Sequence, residues 1–409
     1  MGLTMTKRER VVRAFGGGVP DRVPFAPDAA TMVPIKLTGK PFYEVLYRGN
    51  PPLWKAYIDF LDYYDVEGWF NYSIINWKCD GEPVQWRSWE DKDEYGRLMV
   101  VTEMDTPRGT LRQRAVYPDY DCETLVEKWI KSFREDFPKF KYYFRNPVGC
   151  DLATYREQCR AVGDRAAIGV GASTPGLNNF IGFFNGNMEA ITYAYYDEPE
   201  LFMELCEMYG NNTLKYLEML LEITPKPDYV LTCGSGTITL QSPEIFDELT
   251  LPWLKKITRM CKEAGVLSVA HSCGKEMHLL KRGAEETDLN CVNPMEIPPM
   301  GDCDMKTAKR LYGHKLCLMG NLHTTDVMLN GTPNLVRLKS LEAIRDAGEN
   351  GGFVLSTGDQ IGRDTPEANI RMMVQVCKEF GEYPLDMDAI NAEIRRLEKL
   401  LEKKQEVPD

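Results

Sequence analysis

A histidine and a cysteine separated by one residue are the side chains of this sequence best suited to bind a metal ion. His271 and Cys273 lie in the run His271-Ser272-Cys273-Gly274, directly after an apolar stretch that is typical of a strand. In a turn after a strand, an imidazole and a thiolate at this spacing can face the same side and bind Zn2+, which favours nitrogen and sulfur ligands. A core histidine packed beside a core thiol is the structural alternative, and a metal site needs at least one further ligand.

Two carboxylates and one amide follow other predicted strands. Glu296 or Asp359 would supply the oxygen donor that completes a three-ligand Zn2+ site with an open coordination position, although each carboxylate also suits the cap of a turn. Asn321 suits a hydrogen bond to a substrate or, again, a turn. We therefore predict His271, Cys273, Glu296 and Asp359 as candidate metal ligands, and Asp359, Glu296 and Asn321 as candidate catalytic residues.

A third group of side chains at predicted strand ends is expected to contact a substrate. The group comprises Asp28, Trp69, Asn71, Thr174 and Asn293. Five of the seven Trp lie in the N-terminal part of the chain, at positions 54, 69, 77, 86 and 89. Large rings more often pack in a core, but a cluster of them near the site would favour an aromatic ligand or a methylated cation.

Eight short apolar runs, each followed by turn residues and then by a helical pattern, are the candidate strands that position these side chains. Their alternation with helices predicts a parallel sheet, and the spacing of the last five is typical of a (β/α)8 TIM barrel, in which active sites lie at the carboxyl ends of the strands. An open doubly wound sheet is the alternative. The runs are 23–26, 66–72, 167–171, 228–233, 266–270, 288–292, 315–319 and 353–356.

We expect one barrel domain over 1–409, with an insertion at about 73–160 that contains a β-hairpin and helices. The segments 95–101 and 111–116 flank Thr106-Pro107-Arg108-Gly109-Thr110 and predict that antiparallel hairpin. Thr6 with Glu9 predicts a capping box at the start of an N-terminal helix. The apolar stripe within 388–403 predicts an amphipathic helix near the C-terminal end.

Composition excludes several classes of protein. Of the 409 residues, 43% are hydrophobic and 27% are charged, which is typical of a globular protein with a sizeable core rather than a disordered one. The net charge of -12 disfavours nucleic acid and anionic membranes as partners. Twelve scattered Cys, the lack of a signal-peptide pattern and the lack of a long apolar stretch lead us to expect a cytoplasmic protein. No nucleotide-binding or esterase motif occurs.

Several short motifs in the C-terminal half, taken in order, resemble the uroporphyrinogen decarboxylase superfamily, whose fold is a (β/α)8 barrel. The decarboxylases carry an Arg-rich motif after the first strand that grips substrate carboxylates, whereas the corresponding segment 27–32 of this chain contains Asp28 and no Arg. The motifs are Ser242-Pro243-Glu244, His271-Ser272-Cys273-Gly274, Asn293-Pro294-Met295-Glu296, Met319-Gly320-Asn321, Leu329-Asn330-Gly331-Thr332-Pro333, Gly358-Asp359-Gln360-Ile361 and Thr365-Pro366-Glu367-Ala368-Asn369.

The same motifs are similar to those of the corrinoid-dependent methyltransferases of this superfamily. That resemblance implies a Zn2+ held by His271, Cys273 and a later Cys, but Asp359 stands at the later position. Either Asp359 or Glu296 replaces the thiolate, or the metal is lost. The chain has no Asp-x-His-x-x-Gly corrinoid motif, so the resemblance implies that a partner protein supplies the corrinoid.

The function that we predict is transfer of a methyl group from a small methylated compound to the corrinoid of a partner protein. An aryl methyl ether is the favoured methyl donor, and the reaction is then an O-demethylation. Decarboxylation of a small acid is the alternative enzymatic function, and a ligand-binding barrel without catalysis is the alternative from another class. The sequence leaves homo-oligomerisation open.

Overall fold

The computed structural model describes residues 4–81 and 84–405. Its strands are β1 (Gly68–Phe70), β2 (Asn76–Cys79), β3 (Gln85–Lys92), β4 (Leu98–Thr106), β5 (Gly109–Tyr117), β6 (Thr124–Glu127), β7 (Pro147–Asp151), β8 (Ala166–Gly171), β9 (Tyr229–Cys233), β10 (Leu267–His271), β11 (Cys291–Asn293), β12 (Cys317–Leu322) and β13 (Phe353–Thr357).

The helices surround these strands. They are α1 (Lys7–Phe15), α2 (Met32–Thr38), α3 (Phe42–Leu46), α4 (Leu53–Tyr64), α5 (Phe133–Phe140), α6 (Ala153–Val162), α7 (Leu177–Phe180), α8 (Asn187–Asp197), α9 (Pro199–Glu222), α10 (Pro243–Ile245), α11 (Leu251–Glu263), α12 (Met277–Glu286), α13 (Met305–Tyr312), α14 (Pro333–Ala347), α15 (Glu367–Phe380) and α16 (Met387–Gln405). A 3-10 turn occupies Lys141–Tyr143, and π-helical segments occupy Phe246–Thr250 and Thr324–Leu329.

The central sheet is parallel and has the strand order β1-β8-β9-β10-β11-β12-β13. The segment 23–26 joins the two edges of this sheet. Phe25 forms a parallel bridge with Leu355 of β13, and its carbonyl accepts a hydrogen bond of 3.2 Å from the amide of Glu67, just before β1. The sheet and this segment together form the eight-stranded barrel that the sequence predicts.

Helix α1 covers the amino end of the barrel. Its Phe15 is fully buried and makes an edge-to-face contact with Tyr229, the first residue of β9, with ring centroids 5.5 Å apart. Tyr229 fills the barrel because Gly169 of β8 presents no side chain beside its ring. The amino end is therefore closed by packing, whereas His271 and Asp359 at the carboxyl ends of their strands are half-buried.

All eight predicted strands coincide with positions in the barrel, so the predicted fold class is confirmed. β11 begins at Cys291 rather than at 288, because the hydroxyl of Thr258 accepts the amide of Asp288 in the preceding turn. The capping box of Thr6 and Glu9 and the C-terminal amphipathic helix are also confirmed.

The predicted hairpin is confirmed as β4 and β5, which are the inner strands of a four-stranded antiparallel sheet, β3-β4-β5-β6. β4 starts at Leu98 because Asp93 accepts the amides of Tyr95 and Arg97 in a turn before it. The sequence analysis missed β3, whose eight residues are all exposed and give no apolar alternation. It also missed the separate antiparallel pair of β2 and β7. Among the described helices, none is long and apolar enough to cross a membrane.

Candidate metal centre

Three candidate ligands converge at the carboxyl ends of the barrel strands. His271 is the last residue of β10, Cys273 follows two residues later, and Asp359 lies two residues after β13. One ligand atom from each of these residues lies within 4.8 Å of the others. The sequence analysis paired His271 with Cys273 by their spacing, and the curvature of the barrel brings Asp359 to the pair.

His271 is oriented from the strand beside it. Its Nδ1 lies 2.7 Å from Oδ1 of Asn293, which is fully buried at the end of β11. This contact leaves Nε2 directed at Cys273, whose Sγ is 3.2 Å away. A hydrogen bond at one ring nitrogen fixes the tautomer and presents the other to a metal, as in many metal-bound histidines.

Asp359 has an unusual backbone conformation for a residue other than glycine, with φ of 98°. Its Oδ1 accepts the amide of Gln360, and its carbonyl accepts the hydroxyl of Thr357 at 2.7 Å. Such a conformation costs about 1–3 kcal/mol, and it is found most often where a side chain must point in a particular direction. The strain therefore supports a functional role for this carboxylate rather than a simple turn.

Glu296 flanks this cluster but is not one of the three converging residues. Its Oε2 accepts the amide of Gly274, next to Cys273. Burial raises the pKa of the Glu296 carboxyl, and the nearby charge of Asp359 raises it further, although the Gly274 amide and two histidines oppose the shift. Of the four predicted ligands, the structure thus gathers His271, Cys273 and Asp359 and leaves Glu296 at their edge.

Asp28 faces the same cluster from the segment after 23–26. Burial raises the pKa of its carboxyl to about 6, with His271 opposing and Asp359 adding to the shift. The hydroxyl of Thr357 accepts its backbone amide at 3.0 Å. The first and last barrel strands therefore bring the carboxylates of Asp28 and Asp359 close enough for their charges to interact.

The other predicted residues are arranged at different depths around the cluster. Trp69 is buried, with its ring centroid 6.1 Å from that of His271. Asn71 is exposed, and its Oδ1 accepts the hydroxyl of Tyr229. Asn321 is half-buried at the end of β12.

Two of the predicted substrate contacts, Thr174 and Asn293, have no accessible surface in this conformation. A ligand cannot touch either residue unless the structure opens. Asn293 instead supports His271, and Thr174 lies beside the thiol of Cys233. The sequence places both at strand ends but does not show how deeply each side chain is covered.

The tryptophans do not form one cluster at the barrel mouth, which is the arrangement that would have favoured an aromatic ligand. Only Trp69 of the five is close to His271. Trp54 packs in the main core, while Trp86 and Trp89 are exposed on β3 of the inserted sheet. Trp77 lines a separate cavity of about 680 Å³ whose walls also include Tyr143, Phe183, Tyr209 and Tyr216. The insertion disperses residues that are neighbours in the sequence.

Several further residues of this region could not be recognised from the sequence. Tyr57 and Tyr72 lie near Asp28, and the hydroxyl of Tyr57 contacts the backbone of Trp69. Glu276 is fully buried behind Glu296. Tyr57 reaches the site from helix α4, whereas Tyr72 and Glu276 lie close in sequence to Asn71 and Cys273 but carry no pattern that marks them as site residues.

The donor set fits Zn2+. Ligand atoms around a tetrahedral Zn2+ are about 3–4 Å apart, and the 3.2 Å between Cys273 Sγ and His271 Nε2 lies in that range. One nitrogen, one sulfur and one oxygen ligand leave a fourth position for a substrate, which is the arrangement of catalytic zinc sites. Asn293 supplies the outer hydrogen bond that such a histidine ligand needs.

Comparisons with known proteins place these features in a family context. The family model of uroporphyrinogen decarboxylase (URO-D) matches residues 178–380. A methylcobamide:CoM methyltransferase (MtbA) of Methanosarcina acetivorans is 30% identical over 274 residues, which are 64% of this chain and 73% of that protein. A methylated-thiol:coenzyme M methyltransferase of Methanosarcina mazei is 28% identical over 145 residues, which are 36% of each chain.

The matches span less of other curated relatives. The chain covers 43% of the MtbA of Methanosarcina mazei and 50% of a uroporphyrinogen decarboxylase of Microcystis aeruginosa. A solved methyltransferase from Methanosarcina mazei has a TM-score of 0.63 at 16% identity, with 92% of this chain and 99% of that chain aligned. This last likeness extends the shared fold to almost the whole barrel, including the N-terminal half.

Proposed function

Because this chain belongs to the uroporphyrinogen decarboxylase family, we propose that it transfers a methyl group from a small methylated compound to the corrinoid of a partner protein. The observation that supports this proposal most directly is the convergence of His271, Cys273 and Asp359 at the carboxyl ends of the barrel strands. Two relatives whose names denote methyltransferases support the same reaction class.

In this proposal His271, Cys273 and Asp359 hold a Zn2+ ion. The bound ion would supply Lewis acidity at the heteroatom that carries the methyl group. The methyl group leaves that heteroatom without the bonding electron pair and bonds to the reduced cobalt of the corrinoid, which supplies the electrons. The heteroatom keeps the pair and takes up a proton.

The flanking residues have separate roles in this scheme. Asn293 keeps Nε2 of His271 directed at the ligand cluster. Glu296 is the candidate proton donor to the departing heteroatom, because it borders the cluster with only one oxygen held by the Gly274 amide among the described residues. Trp69 provides a flat apolar wall beside His271. Asn321, half-buried at the end of β12, is the candidate for orienting the substrate.

We further propose an aryl methyl ether as the methyl donor. Asp359 supplies an oxygen ligand where a thiolate would make the ion softer, and a harder ion suits an oxygen leaving group better than a sulfur one. The buried Trp69 ring, with its centroid 6.1 Å from that of His271, makes the surroundings of His271 more apolar, which suits an aromatic group.

The experiment combines purified protein, cob(I)alamin and one methyl donor at a time: a methoxybenzene, a methylated thiol and a methylamine. Formation of methylcobalamin is followed by absorbance, and zinc is measured by elemental analysis. We expect turnover with the methoxybenzene, about one Zn2+ per chain, and a loss of at least a hundredfold in rate for Asp359→Ala. Asp364→Ala is the matched control, because that carboxylate lies five residues on and is exposed.

Two outcomes would contradict the proposal. Loss of the methyl group from any of these donors without corrinoid would reject methyl transfer to cobalt. An Asp359→Ala variant with native zinc content and rate would show that Asp359 is only a turn residue, and a preference for thiols would reject the choice of substrate.

A further inference from the structure

A buried acid that the proposed reaction does not use lies directly behind the candidate metal centre. Glu276 precedes α12, is fully buried, and lies three residues after Cys273. Its Oε2 accepts the backbone amide of Glu296 at 3.1 Å. Among the described residues, its Oε1 has no hydrogen-bond partner, and no cationic group lies within ion-pair distance of the carboxyl.

Glu276 is one of three acids that cross-link the loops after β10 and β11. Glu296 accepts the amide of Gly274 from the first loop, and Glu276 accepts the amide of Glu296 from the second. Asp302 accepts the amides of Glu276 and Met277 at 2.7 and 3.1 Å. Each loop thus donates backbone amides to carboxylates of the other, which fixes their relative position.

The two loops also pack backbone against backbone. A Cβ atom at Gly301 would come within 2.1 Å of the Glu296 carbonyl and 2.6 Å of the Gly274 carbonyl. The amide of Cys303 donates to the same Glu296 carbonyl at 3.0 Å. Neither loop can shift without breaking these contacts, so Cys273 and Glu296 keep one arrangement relative to His271.

Burying a carboxyl group at this position costs free energy, and packing alone would not require a carboxyl group there. Burial raises the pKa of Glu276 well above its usual value, although the amides of Met295 and Glu296 oppose the shift. An apolar side chain would avoid the desolvation of a polar group with one unpaired oxygen. What an apolar side chain cannot do is accept the Glu296 amide.

We infer that Glu276 is a positioning residue of the candidate metal centre, which acts through the Glu296 amide to hold Glu296 and Cys273 in place beside His271. The inference deepens the proposed function, because it assigns a supporting residue to the same site. It requires an acceptor oxygen at this position and not a negative charge.

That requirement separates two substitutions. Glu276→Gln keeps an acceptor oxygen in nearly the same shape, whereas Glu276→Leu keeps the volume and removes the acceptor. Asp304→Ala is the control, since Asp304 lies at the end of the second loop, where its side chain caps α13 by accepting the Thr307 amide and does not bind the first loop. Asp304→Ala removes a side-chain acceptor of a backbone amide, as Glu276→Leu does, and should cost a comparable free energy without changing the contacts of Glu296.

The measurement is titration of the zinc-depleted full chain with Co2+, followed by the visible absorption bands that report thiolate ligation, together with the thermal midpoint of each variant. Outer-shell partners of metal ligands typically contribute tenfold to a hundredfold in affinity. We expect Glu276→Leu to weaken Co2+ binding at least tenfold, and Glu276→Gln and Asp304→Ala to stay within about threefold of the native Kd.

A folded Glu276→Leu variant with native Co2+ affinity would overturn the inference, as would a Glu276→Gln variant that binds as weakly as the leucine variant.

Hydrogen exchange of the metal-free proteins tests the position of the loops independently of metal binding. The amides of Gly274 and Glu296 should lose protection in Glu276→Leu but not in Glu276→Gln, and unchanged protection in both would also overturn it. If the native chain binds no Co2+ while this exchange pattern holds, the zinc assignment fails and the role of Glu276 in the loops stands.

Discussion

Asn293 shows how one buried amide determines the chemistry of a neighbouring side chain. It contacts Nδ1 of His271 and also donates to the carbonyl of Met319 at 3.4 Å, so its orientation is fixed from both sides. The imidazole is therefore held in one tautomer before any ligand binds. In the proposed zinc site, the affinity for the ion would therefore depend on a residue that does not bind the ion itself.

We predict that Asn293→Ala weakens zinc binding by about tenfold to a hundredfold, because the ring of His271 is then free to turn and to change its tautomer. Competition with a chromophoric chelator measures the Kd. Asn290→Ala is the control: Asn290 accepts the Ser268 amide near the opposite end of the same strand pair, so its loss should lower stability and leave the zinc affinity unchanged. Equal zinc affinity of native protein and Asn293→Ala would contradict the prediction.

Some residues of the site can be predicted from the sequence and others cannot. His271 and Cys273 are predictable because both ligands come from one turn and their spacing alone makes them neighbours. Asp359 became a candidate through its position after a predicted strand, but its approach to His271 depends on barrel curvature. Glu276 and Tyr229 could not be predicted, since a buried acid and a buried ring carry no local signature of what they touch.

At the scale of elements, β8 and β9 pack closely because a glycine of β8 leaves room for a large side chain of β9. β8 has Gly169 where the ring of Tyr229 crosses it, and a Cβ atom there would lie 2.4 Å from Cζ of that ring. Gly171, two residues further along the same strand, has no atom within 4 Å of its would-be Cβ. The two glycines of one strand are therefore under different constraints.

We predict that Gly169→Ala destabilises the protein by about 1–3 kcal/mol, because the barrel interior must move to accept one methyl group. Gly171→Ala should change stability by less than about 0.5 kcal/mol. Thermal or urea unfolding of the two variants tests the difference. A Gly169→Ala protein as stable as the native one would mean that the Tyr229 ring has room to shift.

Periodicity at this scale predicted the barrel strands because they are buried on both faces and appear as short apolar runs. It failed for β3, whose charged and aromatic residues are all exposed. β3 forms a strand because it pairs with β4 along its full length, from Gln85–Asp105 to Lys92–Leu98. Strand formation of this kind depends on the partner strand and cannot be predicted from the hydrophobic pattern of β3 itself.

For the whole molecule, a buried ion network links α1, the segment after it and β1. Glu67 is buried and accepts Arg10, Arg22 and the amide of Phe25, the last at 2.8 Å. Arg10 also contacts Asp21 at 2.6 Å. Partial burial opposes ionisation of Asp21, but Arg10 and the amides of Met5 and Thr4 outweigh it and lower its pKa to about 2.

We predict that Asp21→Asn lowers stability at pH 7 by about 1–2 kcal/mol, after allowance for solvent screening. Because the pKa is depressed in the folded state, the contribution of Asp21 is complete above its ordinary value of 3.8 and is lost as the pH falls toward about 2. The unfolding midpoints of native and variant proteins should therefore converge between pH 4 and pH 2. Asp62→Asn, which breaks an exposed pair with Arg165, should change the midpoint little at any pH.

Because the segment 23–26 closes the barrel against β13, the barrel can be completed only after β13 has been synthesised. That segment leaves the ribosome before the other barrel strands, whereas its partner β13 emerges after all the other barrel strands. Until then the growing sheet has two open edges, which are surfaces prone to pairing with other chains. Asp28 and Asp359 meet only across this seam. A nascent chain would therefore expose His271 and Cys273 before Asp359 emerges, and the proposed metal site would be complete only once β13 has closed the barrel.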